Sequence, residues 1–231
     1  VIGIIGAMDV EVAKLKEQMS DVVITKKAGR EYVKGMLNGA EVVVVRAGVG
    51  KVNAAGCTQC LIDTFGVDSV INTGIAGSLQ AKIDIGDVVL ATDAVEHDME
   101  AVAFGYPVGQ IPQMDVFSFQ ADEKLRAIAK ESCEKVNPDI HVYEGRVLTG
   151  DQFVSGDEKK KYLVDTFGGF CTEMEGAAIA HTAYLNNVPF LIVRAISDKA
   201  DNSAHEDYPT FEKKAVERSV RLIYEMAGRL Q

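Results

Sequence analysis

Four carboxylates stand out in this chain. Each lies in an apolar setting or just past the expected end of a strand: Glu11 in "GAMDVEV", Glu173 and Glu175 in "FCTEMEGAAIAHTA", and Asp198 closing "FLIVRAISD". Carboxylates are rarely buried unless they are paired or hydrogen-bonded, so each placement asks for a reason. An acid at a strand end, half withdrawn from water, has its pKa raised and can donate a proton near neutral pH. Asp198 fits that description, although it could equally cap the segment that follows it. Glu11 falls in the first turn of a helix, where the dipole favours a negative charge by about 0.3–1 kcal/mol, and that alone would account for it. Convergence is the stronger signal: Glu11, Gly48, Gly74, Glu175 and Asp198 all directly follow expected strands, and α/β sheets bind their ligands outside the carboxyl ends of strands.

The elements that must carry these residues are short β-rich runs alternating with helical patterns. "VIGIIG" precedes a helix from Asp9, and "EVVVVRAG" precedes one from Lys51. "SVINTGIAG" and "DVVLATDAV" follow, then a helix from Asp122, "HVYEGRVLTG", a helix near Asp157, "GFCTEM" with "EGAAIAHTAYL", and "FLIVRAISD" before a closing helix. Near-continuous β-branched runs mark strands covered on both faces. The expected class is α/β, with a central mixed, largely parallel β-sheet flanked by helices, as one domain over residues 1–231. In the closing helix Phe211, Ala215, Val216, Val220, Leu222, Ile223 and Met226 recur at helical spacing and read as a packing stripe.

Two glycine-bearing turns lie at strand ends. "AGVGKVNAAG" has neither the spacing of a P-loop nor the third glycine of a dinucleotide fingerprint, so it reads as a tight turn whose backbone can line a pocket. "NTGIAGS" is the second, and together they suggest one crevice. Cys57 and Cys60 form a CxxC without a second pair. They read as packed thiols on a helix whose apolar face is Val52, Ala55, Cys60 and Leu61. The histidines His97, His141, His181 and His205 have no metal spacing, and neither a metal nor a cofactor is expected. The formal net charge of -10 argues against nucleic acid or an anionic membrane as partner. "VIGIIGAM" falls short of the roughly 20 residues of a membrane span and lacks a signal-peptide pattern, so a cytoplasmic location is expected.

Taken in order, "IGIIGAMDVEV", "GVGKVNAA", "INTGIAG", "AFGYPVGQIPQM", "TGDQF", "EMEGAAIA" and "VPFLIVRAISDKAD" resemble the 5'-methylthioadenosine/S-adenosylhomocysteine nucleosidases, within the nucleoside phosphorylase superfamily. The resemblance runs the length of the chain. It implies hydrolysis of the N-glycosidic bond of an adenine nucleoside, releasing adenine and a 5-thioribose, in methionine salvage and recycling of S-adenosylmethionine by-products. By matched position, Asp198 is the general acid toward N7 of adenine, with Ser197 adjacent, and Glu11 is the general base for water. Glu175 grips the ribose hydroxyls and Met174 packs the sugar. Phe153 and Val154 form the purine slot, Gly77 offers a backbone contact, Met8, Val49 and Tyr208 line the 5'-thio space, and Arg194 lies near ribose and water. The family is homodimeric, which implies that Phe104 and Pro112, with Tyr106 beside them, reach into the partner's site.

Departures from the family pattern are also plain. Ile75 stands where many members have a Ser that helps orient the acid, and "MEGAA" replaces the commoner "MEATA". A phosphorolytic relative would need arginines where this chain has Glu11, since phosphate requires a cationic cradle. A binding module that had lost turnover would lack one of Glu11, Glu175 and Asp198. The resemblance assigns no role to Glu173.

Overall fold

A computed structural model describes residues 1–230. Strand β1 (Ile2–Gly6) is buried along its whole length, as a run of apolar and small residues covered on both faces must be. It pairs in parallel with β4 (Ala40–Arg46) on one side and with β5 (Ser69–Ser78) on the other. β5 pairs in parallel with β10 (Phe190–Asp198), and both are buried throughout. The carboxyl ends of β1, β4, β5 and β10 therefore open on one edge of the sheet.

Beyond these four strands the sheet turns on itself. β10 pairs antiparallel with β6 (Val88–Glu96), β6 parallel with β8 (Val142–Thr149), β8 parallel with β9 (Cys171–Glu173), and β9 antiparallel with β5. Because β5 also bonds β10, the five strands β5, β10, β6, β8 and β9 close into a barrel. β7 (Phe119–Gln120) adds to β6, while β2 (Ser20–Lys27) and β3 (Arg30–Leu37) extend the far side as an antiparallel pair next to β4. The sheet is mixed, as expected, but the parallel pairings are matched in number by antiparallel ones.

Helices α1 (Asp9–Glu17), α3 (Glu123–Val136) and α6 (Ala204–Arg229) pack together on one side, and α2 (Lys51–Phe65) packs against α5 (Gly176–Leu185) on the other; α4 (Asp157–Phe167) follows the loop after β8. The stripe expected on α6 is present: Ala215, Val216, Val220, Leu222, Ile223 and Met226 are buried, with Phe211 half-buried above them. The face expected on α2 needs correction. Val52 is 86% exposed and Ala55 and Cys60 are only half-buried; the packed face is Ala54, Cys57, Thr58 and Leu61. The i, i+3, i+4, i+7 series begins two residues later than the first apolar residue of the helix suggests. Burial pushes the Cys57 thiol up to about 12, which leaves it an unreactive core group.

Two registers matter for the site. β9 runs antiparallel to β5 with Cys171 opposite Ser78 and Thr172 opposite Gly77, so the chain after Thr172 heads back toward the middle of β5. In β10, Arg194 pairs with Gly74 and Ile196 with Ala76, but a bulge then places Asp198 opposite Gly77. The extra residue is Ser197. A bulge re-aims side chains locally, and this one brings Ser197 and Asp198 to the same lining.

Candidate active site

A cavity of about 370 Å³ opens where these strand ends meet. Its lining includes Met8, Glu11, Val49, Gly77, Phe153, Met174, Glu175, Arg194, Ser197, Asp198 and Tyr208, which come from seven separate stretches of the chain. Val154 is buried outside it and lines an adjoining recess that shares Gly77, Phe153, Met174 and Asp198. Phe104 and Pro112 do not reach the cavity of their own chain; Phe104 is 85% exposed on the segment after β6.

Glu11 is the third residue of α1 and is buried. Its Oε2 accepts backbone N–H bonds from Ala7 (2.6 Å) and Met8 (2.9 Å), so the helix-start role open in the sequence is real. Oε1 has only a long contact to the N–H of Ile75, 3.4 Å, and remains free to act toward the cavity. Burial raises the pKa of Glu11, opposed chiefly by the charge of Arg194. The carboxylate can approach β5 because Gly74 has no side chain: a Cβ there would lie 2.7 Å from Glu11 Oε1 and 2.4 Å from Arg194 Nη1.

Asp198 shows the same duality. Oδ1 accepts the N–H of Ala200 at 2.8 Å, which is the capping role, while Oδ2 accepts from the Ser197 hydroxyl at 2.8 Å. Burial raises its pKa, those two hydrogen bonds holding part of the shift back. Ser197 thus orients the acid from the adjacent position, in a chain where Ile75 offers no hydroxyl. Gly77 makes room for it, since a Cβ there would stand 2.7 Å from Asp198 Oδ1.

Glu175 and Glu173, two residues apart, have different partners, and Glu175 is not held by the start of α5 that follows it. Glu175 Oε1 instead accepts the N–H of Gly50 at 3.0 Å, at the start of α2, and its Oε2 lies 3.5 Å from Arg194 Nη2. The acid on the start of α5 is Glu173, which accepts the N–H of Gly176 at 2.7 Å. Glu175 is pushed up to about 7, first by burial and then by the neighbouring Glu173 carboxylate, with Arg194 pulling the other way.

At the apolar end the Tyr208 ring meets the Phe153 ring edge-on, with centroids 5.7 Å apart. The Tyr208 hydroxyl donates to Glu212 (3.1 Å) and approaches Met8 Sδ (3.5 Å). Phe153 and Val49 are about half exposed at the mouth. Several lining or supporting residues were not singled out from sequence: Ala7, Ala76, Thr172 and His205 line the cavity, while Asn72 and Thr149 bond its charged groups. Asn72 stands in "INTGIAG", an amide within a strand read as buried, and that was the available signal. Thr149 and Thr172 gave none, because a Thr within a β-rich run is ordinary strand composition.

The class follows from the whole length of the chain: the model of the Phosphorylase superfamily matches residues 1–227. A 5'-methylthioadenosine/S-adenosylhomocysteine nucleosidase of Exiguobacterium sp. is 39% identical over 231 residues, covering 100% of this chain and 98% of the relative. The crystal structure of the Neisseria meningitidis enzyme of that name, in complex with methylthio-immucillin-A, superposes with a TM-score of 0.94 at 36% identity, covering 99% of this chain and 98% of the other. Futalosine hydrolase of Helicobacter pylori gives a TM-score of 0.93 at 34% identity, covering 99% and 97%. The chain belongs to the phosphorylase superfamily and, within it, to the 5'-methylthioadenosine/S-adenosylhomocysteine nucleosidase family.

Proposed function

We propose that this chain hydrolyses the N-glycosidic bond of 5'-methylthioadenosine and S-adenosylhomocysteine, releasing adenine and the 5-thioribose product, a reaction that belongs to methionine salvage. The observation that carries this reading is the meeting of Glu11, Glu175 and Asp198, from three distant strand ends, in one largely apolar cavity. In the mechanism, the C1'–N9 bond breaks with its electron pair going to the base, and Asp198 gives a proton to N7 so that adenine leaves neutral. Burial suits Asp198 to this by keeping its proton to higher pH. The sugar left behind is oxocarbenium-like, and water adds to C1' as Glu11 Oε1 takes its proton. Glu175 holds the ribose hydroxyls beside Met174. Phe153 stacks on adenine, the Val154 backbone reads its edge, and Met8, Val49 and Tyr208 receive the 5'-thio group.

Water rather than phosphate is the nucleophile that suits the charges. Among the described lining residues Arg194 is the one arginine or lysine, and it is buried and already paired with Glu173. Phosphate would enter a pocket whose fixed charges are mainly negative, with no free arginine to receive it. Incubation with 5'-methylthioadenosine, with and without phosphate, tests the reading. Adenine should appear at the same rate in both. Release only with phosphate would make the protein a phosphorylase, and release in neither would make it a binding module. The neighbouring futalosine hydrolase makes kcat/KM compared across methylthio, homocysteinyl, 5'-deoxy and aminodeoxyfutalosine substrates the measure of which 5' group is preferred.

The working unit is read as a homodimer in which Phe104 and Pro112 cover the 5' end of the partner's cavity. Support comes from the exposure of Phe104 at 85%, with Val102 beside it at 50%, neither of which lines the chain's own cavity. Among the described residues no helix is long and apolar enough to cross a membrane.

A further inference from the structure

Glu173 is the acid for which neither the family resemblance nor the mechanism above has a use, yet it is buried with more partners than any of the three acids used. Its carboxylate accepts from the N–H of Gly176 through both oxygens, 3.0 and 2.7 Å, and has a long contact to the N–H of Glu175, 3.4 Å. The Thr149 hydroxyl donates to Oε1, and Arg194 Nη2 is ion-paired with Oε2. Thr149 Oγ1 in turn accepts the N–H of Ala177 at 2.7 Å, so Glu173 and Thr149 together satisfy the first turn of α5. The fit is close: a Cβ at Gly176 would lie 2.9 Å from Glu173 Oε2, so the glycine of "MEGAA" admits the carboxylate to the helix end.

Arg194 is a buried guanidinium with three carboxylates around it. Glu11 faces it from α1, Glu173 from β9 and Glu175 from the β9–α5 junction, while β5 contributes Asn72 Oδ1 at 2.6 Å and the carbonyl of Ile75 at 3.2 Å. The thiol of Cys171 on β9 is the other titratable group nearby. A buried guanidinium binds the nearest carboxylate strongly, and whichever acid takes it loses freedom to serve the substrate. Here the direct ion pair goes to Glu173, and Glu175 stands off at 3.5 Å.

We propose that Glu173 is a positioning residue for this reaction: it occupies Arg194 and docks the start of α5, leaving Glu175 free to face the ribose and Glu11 free to face water. This rests on the nucleosidase reading. Glu173 borders the cavity, but its carboxylate is spent on Arg194, Thr149 and the N–H of Gly176, so it acts through Arg194 and through the backbone that carries Glu175. Removing its charge while keeping its shape leaves one cation to two carboxylates, so Arg194 draws Glu175 and Glu11 toward itself and both hold their protons less tightly. A role confined to capping the helix would change stability without moving any titration.

The test is the pH dependence of kcat/KM for 5'-methylthioadenosine in wild type, Glu173→Gln and Glu173→Asp, with circular dichroism to confirm folding. In Glu173→Gln the acid limb should move down by about one pH unit, with kcat at the optimum lower by about tenfold. In Glu173→Asp, which keeps the charge but shortens the reach, the limb should stay in place while kcat falls by a similar factor at every pH. An acid limb unchanged in Glu173→Gln, even with a lower melting temperature, would reduce Glu173 to a cap and overturn the proposal. Should Glu173→Gln not fold, Glu173→Asp decides, since wild-type kcat or a displaced limb there would also overturn it. Wild-type protein that releases no adenine would instead sink the nucleosidase reading itself, and this proposal with it.

Discussion

Asp198 and Glu175 are both carboxyl groups made poor acids by burial, but the consequences differ. On the proposed mechanism the raised pKa of Asp198 is useful, because a proton retained toward neutral pH is one that adenine can take. Asp198→Asn keeps the hydrogen-bonding shape and removes that proton. Adenine release should fall by about 10²- to 10⁴-fold while 5'-methylthioadenosine binding remains measurable by calorimetry; near-normal turnover would refute the role. For Glu175 the raised pKa is a cost to the empty enzyme. Its folded-state value of about 7 lies above the ordinary 4.5, so the folded state binds a proton more tightly than the unfolded one between those values. Stability contributed by that proton is complete below about 4.5 and is lost as pH rises through about 7. Glu175→Gln should therefore raise the melting temperature at pH 8, a gain on the order of 1–3 kcal/mol, and the gain should vanish near pH 4. A variant no more stable than wild type at pH 8 would contradict this account.

At the scale of elements, the site depends on how closely β5 lets other chains approach. "NTGIAGS" is buried from end to end, and its two glycines face the charged groups rather than a turn. Gly74→Ala would place a methyl 2.4 Å from Arg194 Nη1 and 2.7 Å from Glu11 Oε1. Both groups are held by other partners, Glu11 by the N–H groups of Ala7 and Met8 and Arg194 by Glu173 and Asn72, so overpacking should cost about 1–3 kcal/mol of stability, and on the proposed mechanism kcat should fall more than KM rises because Glu11 and the guanidinium are displaced together. Thermal melting and steady-state kinetics on one preparation check both parts. The bulge at Ser197 in β10 is the matching device on the other strand, setting Ser197 and Asp198 side by side on the cavity wall. The start of α5 is the third: it is satisfied by Glu173 and Thr149, not by Glu175, which is why the two acids two residues apart have unlike surroundings.

For the molecule as a whole, the cavity is complete in its acids but open at the apolar end, where Val49 and Phe153 are about half exposed. Phe104, at 85% exposed, is an apolar ring left in water by its own chain. If the partner's cavity receives it, Phe104→Asp should shift a dimer toward monomer in light scattering and reduce kcat/KM by about tenfold or more. An unchanged dimer with full activity would remove the loop from the site. The net charge of -10 fits a neutral or cationic small molecule far better than a polyanion, and the acids of the cleft reinforce the same preference.

How much of this was legible in the amino-acid order depends on the physical reach of each signal. Buried strands announce themselves through β-branched runs, so β1, β4, β5, β6, β8 and β10 were all readable, and with them the strand ends that carry Glu11, Gly77 and Asp198. β2 was not. Its Val22, Val23 and Ile24 are 42%, 63% and 57% exposed, and an edge strand held by ladder bonds to one neighbour has no burial pattern to show. The packed face of α2 was misread for a related reason: Val52 is apolar, but which side of a helix faces the core is set by what packs on it. The chain by itself determined the order of the buried strands and their helices, the family and most of the residues that line the cleft, because local pattern and ordered motifs are properties of sequence. Only the tertiary structure decided that the sheet closes into a barrel through β5 and β10, and that Arg194 pairs directly with Glu173 while Glu175 stands off. Those outcomes turn on pairings between residues far apart in the chain, which close approach at Gly74, Gly77 and Gly176 permits and no local pattern encodes.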